Sequence, residues 1–373
     1  MKKVRVNLGE RSYDILIGTG IISKLTGLLK KLKLGKVAVV VTNPTINQLY
    51  GPLMKEALNN SGLEVHFEEV PDSEESKSAR ELLNLTERFA DLDKGRGIFV
   101  VAFGGGVIGD LAGFAASIYR RGIPYIQVPT TLLAQVDSSI GGKVAIDLPC
   151  GKNLVGSFHQ PRLVLSDMCF LSSLGPAQTR QALAEIIKYA VISDSRLFQF
   201  LEEHLKQILM LQKKELEYII ETCSKIKAAI VEQDETDKEG KRIILNFGHT
   251  TAHALEAACA YSSDYPHGYA VGLGILVAFE LAKEMNLVSA ETVKRVEMLV
   301  AKAGLPTKIT GLKLSDILQA QAHDKKFSGG KNRFVLPLRI GRAVVKNNIP
   351  KEVIVKALKS RFSSHNFSLV DYE

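Results

Sequence analysis

The sequence contains no apolar run long enough to cross a membrane, and its cysteines are few and scattered. The longest apolar stretch, at 270–279, ends at Glu280, whereas a membrane-spanning helix needs about twenty apolar residues. The four cysteines form neither a CxxC pair nor a zinc-finger spacing, which favours reduced structural thiols over a disulfide framework. The basic N-terminus has no apolar segment of the kind that marks a secretory signal. These absences predict a soluble protein of the cytoplasm.

Tryptophan is absent and aromatic residues make up 7% of the chain, whereas basic residues are in excess. The chain has 48 Lys and Arg against 40 Asp and Glu, a formal net charge of +8. Such a charge suits nucleic acid, an anionic membrane surface or an acidic small molecule. The lysine clusters alternate with apolar residues at helical spacing, and no aromatic RNA-binding motif accompanies them. The sequence therefore favours an anionic small substrate, with no nucleic acid and no membrane as partner.

The pattern of apolar residues predicts two domains within the 373 residues. In the first part, continuous apolar runs alternate with helical segments, which predicts a mostly parallel sheet covered on both faces and preceded by a hairpin. Beyond about residue 175, apolar residues recur with helical periodicity. We therefore predict an α/β, Rossmann-like nucleotide-binding domain over 1–175 and an all-helical domain over 176–373. One short stretch of the second domain, 333–341, resembles an extended pair.

A glycine loop, GGGVIGD at 104–110, lies between a predicted strand and a predicted helix. Gly104, Gly106 and Gly109 match the G-x-G-x-x-G pattern, whose backbone N–H groups bind nucleotide phosphates at a helix N-terminus. The alternative is a tight turn that binds nothing. The loop follows a late strand, and the next strand carries no acidic residue for an adenosine ribose. The later SSIGGKV segment lacks the first glycine and the Ser/Thr of a Walker A loop, which excludes that motif.

His249 and His253 are four residues apart in an apolar segment, so a helix would place them on one face. Their spacing suits half of a metal site, or two histidines that cap and pack. No glutamate follows His249, which excludes the H-E-x-x-H pattern of metalloproteases. From the residues alone, both interpretations remain open.

Several motifs, in order over 104–341, resemble those of the 3-dehydroquinate synthases within the sugar phosphate cyclases. They are GGGVIGDLAGFAAS, RRGIPYIQVPTTLLAQVDSSIGGKVAID, GKN, AEIIKYA, LNFGHTTAHALE, HGYAVGLG and DKK…VLPLRIG. The first hundred residues match more loosely, through PDSEESKS. The resemblance implies an NAD-dependent, metal-requiring lyase of the shikimate pathway that acts as a homodimer. It would convert 3-deoxy-D-arabino-heptulosonate 7-phosphate to 3-dehydroquinate and phosphate, through transient oxidation by NAD, β-elimination of phosphate, re-reduction and intramolecular aldol closure.

The resemblance also assigns site residues. It implies that Glu185, His249 and His267 bind Zn²⁺ or Co²⁺, with an open position for substrate. The catalytic residues it implies are Lys143, Lys188, Lys227, Arg242, Asn246 and His253. The substrate-binding residues are Arg121, which would reach across the dimer, Asp137, Asn153, Lys325 and Lys326. The NAD-binding residues are Asp72, Glu74, Lys77, Gly105, Gly106, Asp110, Thr130, Thr131, Asp137, Lys143 and Lys152.

Four positions depart from the family pattern. Lys238 stands where an acidic residue is expected, with its neighbours Asp237 and Glu239 as candidates for that role, and Ala252 and Tyr269 replace a glycine and a glutamate. Asn43 replaces an aspartate that often contacts the adenosine ribose. The departures leave another sugar phosphate cyclase, or a polyol or glycerol-phosphate dehydrogenase of the same fold, as alternatives. Asn246 together with His253 favours the dehydroquinate type.

Overall fold

The chain divides into two compact units. The computed structural model describes residues 1–59, 61–149, 151–323 and 332–363. Unit 1 comprises 1–175 and 211–236, and unit 2 comprises 176–210 and 237–373. The predicted boundary at 175 is therefore one of three points at which the chain passes between units. The helical segment 211–236, predicted within the second domain, packs with the first because its apolar face covers the first two strands of that unit.

The strands of unit 1 are β1 (Lys2–Val6), β2 (Tyr13–Gly18), β3 (Val37–Thr42), β4 (Glu64–Glu69), β5 (Ile98–Gly104), β6 (Tyr125–Pro129), β7 (Lys143–Leu148), β8 (Gly151–Phe158) and β9 (Leu163–Asp167). Seven of them form one sheet, in the order β1-β2-β9-β6-β5-β3-β4. All its pairings are parallel except that of β1 with β2, which confirms the predicted opening hairpin and the mostly parallel sheet. Strands β7 and β8 form a separate antiparallel hairpin; these two and β9 are absent from the sequence prediction.

Helices cover both faces of this sheet, which explains why β3 is apolar at five consecutive positions, 37–41. Val37, Val39 and Val41 pack into one core, whereas Ala38 and Val40 pack into the other. Side chains alternate between the two faces of a strand, so both sets must be apolar. The helices of unit 1, numbered along the chain, are α1 (Leu25–Leu32), α2 (Pro44–Asn59), α3 (Ala79–Leu92), α4 (Gly106–Ile118) and α7 (Lys213–Gln233).

Unit 2 is largely helical. Its helices are α5 (Pro176–Ser193), α6 (Ser195–Leu209), α8 (His249–Ala258), α9 (His267–Glu284), α10 (Ala290–Lys302), α11 (Leu314–His323) and α12 (Lys351–Lys359). The predicted extended pair is confirmed as an antiparallel hairpin of β10 (Arg333–Arg339) and β11 (Arg342–Asn347), so the prediction of an all-helical domain is corrected. Helix α9 is buried from Ala270 to Ala282, as its continuous apolar sequence requires. Within the described residues, no helix is both long and apolar enough to cross a membrane.

Candidate active site

Three side chains of unit 2 converge on one point. Glu185 lies in the middle of α5, while His249 and His267 are the first residues of α8 and α9. Both Nε2 atoms approach the same carboxylate oxygen, Glu185 Oε1, at 3.3 Å from His249 and 3.2 Å from His267. The ligand atoms of all three residues lie within 4.8 Å of one another. The structure therefore brings together the three residues assigned to the metal, although they are 64 and 18 positions apart in sequence.

Close backbone contacts between the helices fix this convergence. A Cβ on residue 268 would lie 2.4 Å from the Gln181 carbonyl oxygen, so Gly268 lets the start of α9 touch α5 one turn before Glu185. A Cβ on residue 274 would likewise lie 2.0 Å from the Gly248 carbonyl oxygen. Gly248 has a φ of +79°, a conformation that glycine adopts without strain. Each histidine is thus the first residue of a helix whose N-terminal end is in close backbone contact with another helix.

The Nδ1 atom of each imidazole, on the side of the ring away from Glu185, has a hydrogen-bond acceptor. His249 Nδ1 lies 3.1 Å from the Phe247 carbonyl oxygen, and His267 Nδ1 lies 3.2 Å from Glu256 Oε1. When Nδ1 donates its proton to these acceptors, the Nε2 lone pair is free to bind a cation. Sequence reasoning missed Glu256, for which the available signal is its position seven residues after His249, on the same face of α8.

The electrostatics of the cluster suit a divalent cation. Burial alone would raise the pKa of Glu185, but Lys188 and His249 hold it well below its usual range. Burial lowers the pKa of His249. Burial also disfavours charge on His267, yet its hydrogen bonds to Glu185 and Glu256 raise its pKa to about 10. A buried carboxylate with two imidazoles is a donor set that Zn²⁺ or Co²⁺ accepts.

The other predicted residues of unit 2 surround this cluster to different degrees. Lys188 is buried and forms an ion pair with Glu185 one helical turn away. Arg242 is buried on a short 3-10 helix that ends at Asn246. The ring of His253 is exposed and lies edge-on to that of His249, with centroids 5.5 Å apart, so His253 is a neighbour of the triad and does not belong to it.

Lys325 and Lys326 lie outside the described residues. Lys238 is exposed, and its neighbour Glu239 forms an ion pair with Lys241 at 2.8 Å. Asp237, the other acidic candidate, has a left-handed backbone with a φ of +56°.

In unit 1, three residues assigned to NAD or substrate meet around the amino group of Lys77. Its Nζ donates to Asp110 Oδ2 at 2.9 Å and to Asn153 Oδ1 at 2.5 Å, and Glu74 Oε1 lies 3.7 Å away. Burial would lower the pKa of Lys77, but Asp110 and Glu74 raise it above its usual value. Asp147, which the sequence did not single out, accepts from the Asn153 backbone N–H at 2.7 Å. Lys77 thus joins the segment after β4 to helix α4 and to the β7–β8 hairpin.

The glycine loop has the predicted strand–turn–helix form. Strand β5 ends at Gly104 and α4 begins at Gly106. A Cβ on residue 105 would lie 3.1 Å from Thr131 Cγ2, and one on residue 106 would lie 3.2 Å from Ser138 Oγ. The Thr130 backbone N–H donates to the Gly104 carbonyl oxygen at 2.9 Å. The start of α4 therefore has no side chain where its backbone approaches Thr131 and Ser138, and a glycine-rich helix N-terminus of this kind suits a phosphate.

Lys227 meets Asp137 inside unit 1, because its helix α7 packs there. Lys227 Nζ donates to the Asp137 carbonyl oxygen at 2.8 Å and forms an ion pair with its carboxylate. Asp137 belongs to a single π-helical turn, Ala134–Ser138, a form frequent at functional sites. Lys143 is exposed with its Nζ 5.8 Å from the Phe158 ring centroid, Lys152 is half-buried on β8, and Arg121 is exposed after α4.

The departure at Asn43 has a structural explanation. Its Oδ1 accepts the Ile46 N–H at 2.8 Å and so caps α2, while its Nδ2 donates to Asp72 Oδ1 at 2.8 Å. An aspartate could form the cap but could not donate to Asp72. Asn43 therefore orients a carboxylate that the resemblance assigns to NAD.

Comparison with protein families gives two adjacent matches along the chain. Residues 68–181 match the family described as 3-dehydroquinate synthase N-terminal. Residues 182–327 match the one described as 3-dehydroquinate synthase C-terminal. A 3-dehydroquinate synthase from Desulforamulus reducens is 43% identical over 96% of this chain and 99% of its own length.

Solved structures of sugar phosphate cyclases share the fold. A 2-deoxy-scyllo-inosose synthase in complex with carbaglucose-6-phosphate, NAD⁺ and Co²⁺ is 26% identical, with a TM-score of 0.87 over 97% of this chain and 100% of that one. A 2-epi-5-epi-valiolone synthase from Streptomyces hygroscopicus with bound NAD⁺ and Zn²⁺ is 27% identical, with a TM-score of 0.85 over 95% of this chain and 98% of that one.

Proposed function

The chain belongs to the 3-dehydroquinate synthase family, and we propose that it converts 3-deoxy-D-arabino-heptulosonate 7-phosphate to 3-dehydroquinate and phosphate. The observation that carries the proposal is the convergence of Glu185, His249 and His267, with a hydrogen-bond acceptor at the Nδ1 atom of each imidazole. Bound by residues of unit 1, NAD⁺ would supply reversible hydride acceptance, and Zn²⁺ or Co²⁺ held by Glu185, His249 and His267 would supply Lewis-acid polarisation of substrate hydroxyl oxygens.

Residues of unit 2 would hold the metal and orient the substrate. Glu185, His249 and His267 supply the three ligands. Lys188, whose ion pair with Glu185 is buried, offsets the negative charge of that carboxylate and would donate to a substrate oxygen. We assign Arg242, Asn246 and His253 to the same substrate, together with Lys325 and Lys326, because a carboxylate and a phosphate need several fixed donors.

Residues of unit 1 would hold the cofactor. The Lys77 network with Asp110 and Glu74 rigidifies the start of α4, where Gly105 and Gly106 expose backbone N–H groups to the pyrophosphate. Asp72, oriented by Asn43, would accept from a ribose hydroxyl. The further residues that we assign to NAD are Thr130, Thr131, Asp137, Lys143 and Lys152. Lys227 would orient Asp137 through its ion pair, while Arg121, Lys143 and Asn153 would contact the substrate.

We further propose a homodimer. Large apolar side chains are exposed on the β7–β8 hairpin and at the end of α4, where a hydrogen bond of 2.7 Å joins Ser157 to Ser117. These exposed residues are Ile118, Leu148, Leu154, Val155 and Phe158. A cluster of this kind is typical of an association surface. Arg121 lies three residues after Ile118, one of its members. The cytoplasmic location expected from the sequence stays a prediction.

The test follows phosphate release and NADH absorbance together, in protein supplied with the heptulosonate phosphate, NAD⁺ and Zn²⁺ or Co²⁺. We expect phosphate in large excess over NAD⁺, no accumulation of NADH, and loss of turnover with a chelator. His249→Ala should be inactive, whereas His204→Ala, which removes a histidine whose ring is tilted against that of Phe200 in α6, should be active. Phosphate release from sedoheptulose 7-phosphate or glucose 6-phosphate alone would assign another cyclase, and NADH formed from glycerol phosphate would assign a dehydrogenase.

A further inference from the structure

Glu256 is a buried acid with an unusual environment. Its side chain is 5% exposed, and within the described residues its carboxylate has one hydrogen-bond partner, the Nδ1 of His267 at 3.2 Å. A buried carboxylate is costly unless it is paired. Two other buried glutamates of unit 2 have cationic partners: Glu185 pairs with Lys188, and Glu280 with Lys283 and Arg361. No lysine or arginine of the described ranges pairs with Glu256, so the imidazole of His267 is the group that compensates the burial of its carboxylate.

The two histidines differ in how their rings are held. His249 Nδ1 bonds the Phe247 carbonyl oxygen, a neutral acceptor two residues away on the same segment. At the start of α9, His267 Nδ1 instead lies against a side-chain acceptor on a different helix, Glu256 Oε1 of α8, at 3.2 Å. The backbone there is fixed, since the Tyr265 hydroxyl donates to the Thr310 carbonyl oxygen at 2.6 Å. Rotation of the His267 ring, however, is restrained on its outer side by Glu256.

Helix α8 supplies both a ligand and this restraint. Glu256 follows His249 by seven residues, which at 100° per residue places the two within about 20° of each other around the helix axis. The position after His267–Gly268, where the family resemblance leads one to expect a glutamate, is Tyr269. Within the described residues, the carboxylates that contact His267 are therefore those of Glu185 and Glu256.

We propose that Glu256 is a positioning residue for the metal centre: it accepts the Nδ1–H of His267, fixes the ring so that Nε2 faces Glu185, and strengthens that nitrogen as a ligand. A carboxylate behind a metal-bound imidazole fixes the tautomer and increases the basicity of the ligand. This inference rests on the metal-dependent function proposed above. It concerns the affinity and geometry of the metal, and it therefore has readouts that need neither substrate nor NAD.

The experiment titrates metal-free protein with Co²⁺ and follows the visible absorption bands, with Zn²⁺ affinity measured by competition with a chelating dye. The variants are Glu256→Gln, which retains shape and loses charge, Glu256→Asp, which shortens the reach, and Glu256→Ala. Glu280→Gln is the matched control. It neutralises a different buried glutamate, which lies on α9, the helix that begins at His267. Thermal unfolding of each metal-free variant shows whether it is folded.

We expect Glu256→Gln and Glu256→Ala to bind both metals about 10- to 100-fold more weakly, with altered Co²⁺ bands, and Glu256→Asp to fall between them and wild type. Glu280→Gln should bind Co²⁺ as wild type does. Wild-type affinity and spectra in folded Glu256→Gln and Glu256→Ala would overturn the inference. Equal binding of Co²⁺ by wild type and His249→Ala would instead contradict the metal site of the proposed function. Metal binding as predicted, in a protein that shows no turnover, would contradict only the proposed reaction.

Discussion

Gly274 of helix α9 lies against the backbone of Gly248, the residue that precedes helix α8. The contact is so close that a Cβ on residue 274 would come within 2.0 Å of the Gly248 carbonyl oxygen. Because His249 follows Gly248 directly, the approach of the two helices sets the position of one proposed metal ligand. A pair of glycines thus acts on the site through backbone packing and contributes no side chain to it.

We expect Gly274→Ala to destabilise the protein and weaken metal binding. The added methyl cannot fit beside a carbonyl oxygen, so the helices must separate, at a cost of ~1–3 kcal/mol or more. Gly272→Ala, on the same helix, is the control, since its Cβ would lie 3.5 Å from Leu305 in ordinary contact and an alanine favours a helix. Thermal unfolding and Co²⁺ titration of both variants are the measurements. Equal behaviour of the two variants would contradict the packing argument.

Lys77→Met is expected to lose NAD⁺ affinity by at least tenfold, the equivalent of about 1.4 kcal/mol. The substitution keeps an apolar stem but removes the donor shared by Asp110 and Asn153. It also leaves Asp110 without the cation that offsets its desolvation, so stability should fall by ~3–5 kcal/mol. Calorimetric titration with NAD⁺ and denaturant unfolding test both effects. Lys94→Met, at an exposed lysine of the same unit, should change neither; unchanged NAD⁺ affinity in Lys77→Met would count against the assigned cofactor role.

The ion pairs of Glu280 should make stability depend on acid pH. Burial would raise the pKa of Glu280, but the hydrogen bond from Lys283 and the charge of Arg361 lower it below its usual value. A depressed folded pKa gives stability that is complete above the unfolded pKa, about 4.3, and is lost as pH falls through the folded value. Arg361 keeps Glu297 as a partner, so we expect Glu280→Gln to cost ~1–3 kcal/mol at pH 7.

Chemical denaturation of Glu280→Gln and wild type between pH 3 and pH 7 checks this dependence. The difference in the free energy of unfolding between the two proteins should shrink as the pH falls below about 4.3, the pKa of the unfolded glutamate. Glu291→Gln, at an exposed position of α10, should differ from wild type by no more than about 0.5 kcal/mol throughout. A difference for Glu280→Gln that stays constant with pH would show that its carboxylate does not titrate with the predicted sign.

Local patterns predicted the sheet and the glycine loop because both depend on neighbouring residues. The five apolar positions of β3 follow from burial on both faces, and the loop at 104–106 follows from the strand and helix that flank it. The membership of α7 was not predictable in this way. An amphipathic helix shows that one face is covered without showing which core covers it, and α7 covers β1 and β2 of unit 1.

The metal triad lay beyond pattern reasoning for the same reason. Its members, Glu185, His249 and His267, come from three helices. The family resemblance predicts that they bind one metal, whereas their spacing in the sequence does not. From spacing alone, His253 would have been the partner of His249, yet its ring is exposed and outside the triad. Glu256 was missed because its partner, His267, lies eleven residues on, across a loop.

The proposed dimer surface predicts the effect of a charge placed in it. Ile118, 42% exposed at the end of α4, is three residues before Arg121, so Ile118→Glu should bury a charge in the interface and dissociate the dimer. Sedimentation equilibrium should give half the wild-type mass, and turnover should fall because Arg121 no longer reaches the partner. Leu83→Glu, at a leucine 58% exposed on α3, should remain dimeric and active. A monomeric wild type would refute the assembly.

Mixing two inactive variants tests the reach of Arg121 directly. Arg121→Ala lacks the group that a protomer would lend to its partner, whereas Lys188→Ala lacks a group of its own site. In a mixed dimer, the site on the Arg121→Ala protomer has Lys188 and receives Arg121 from its neighbour, so it is complete. Random exchange of equal amounts makes half the dimers mixed with one complete site each, and activity should recover to about a quarter of wild type. If Arg121 served its own protomer, no pairing would complete a site, and the mixture would stay as inactive as its components.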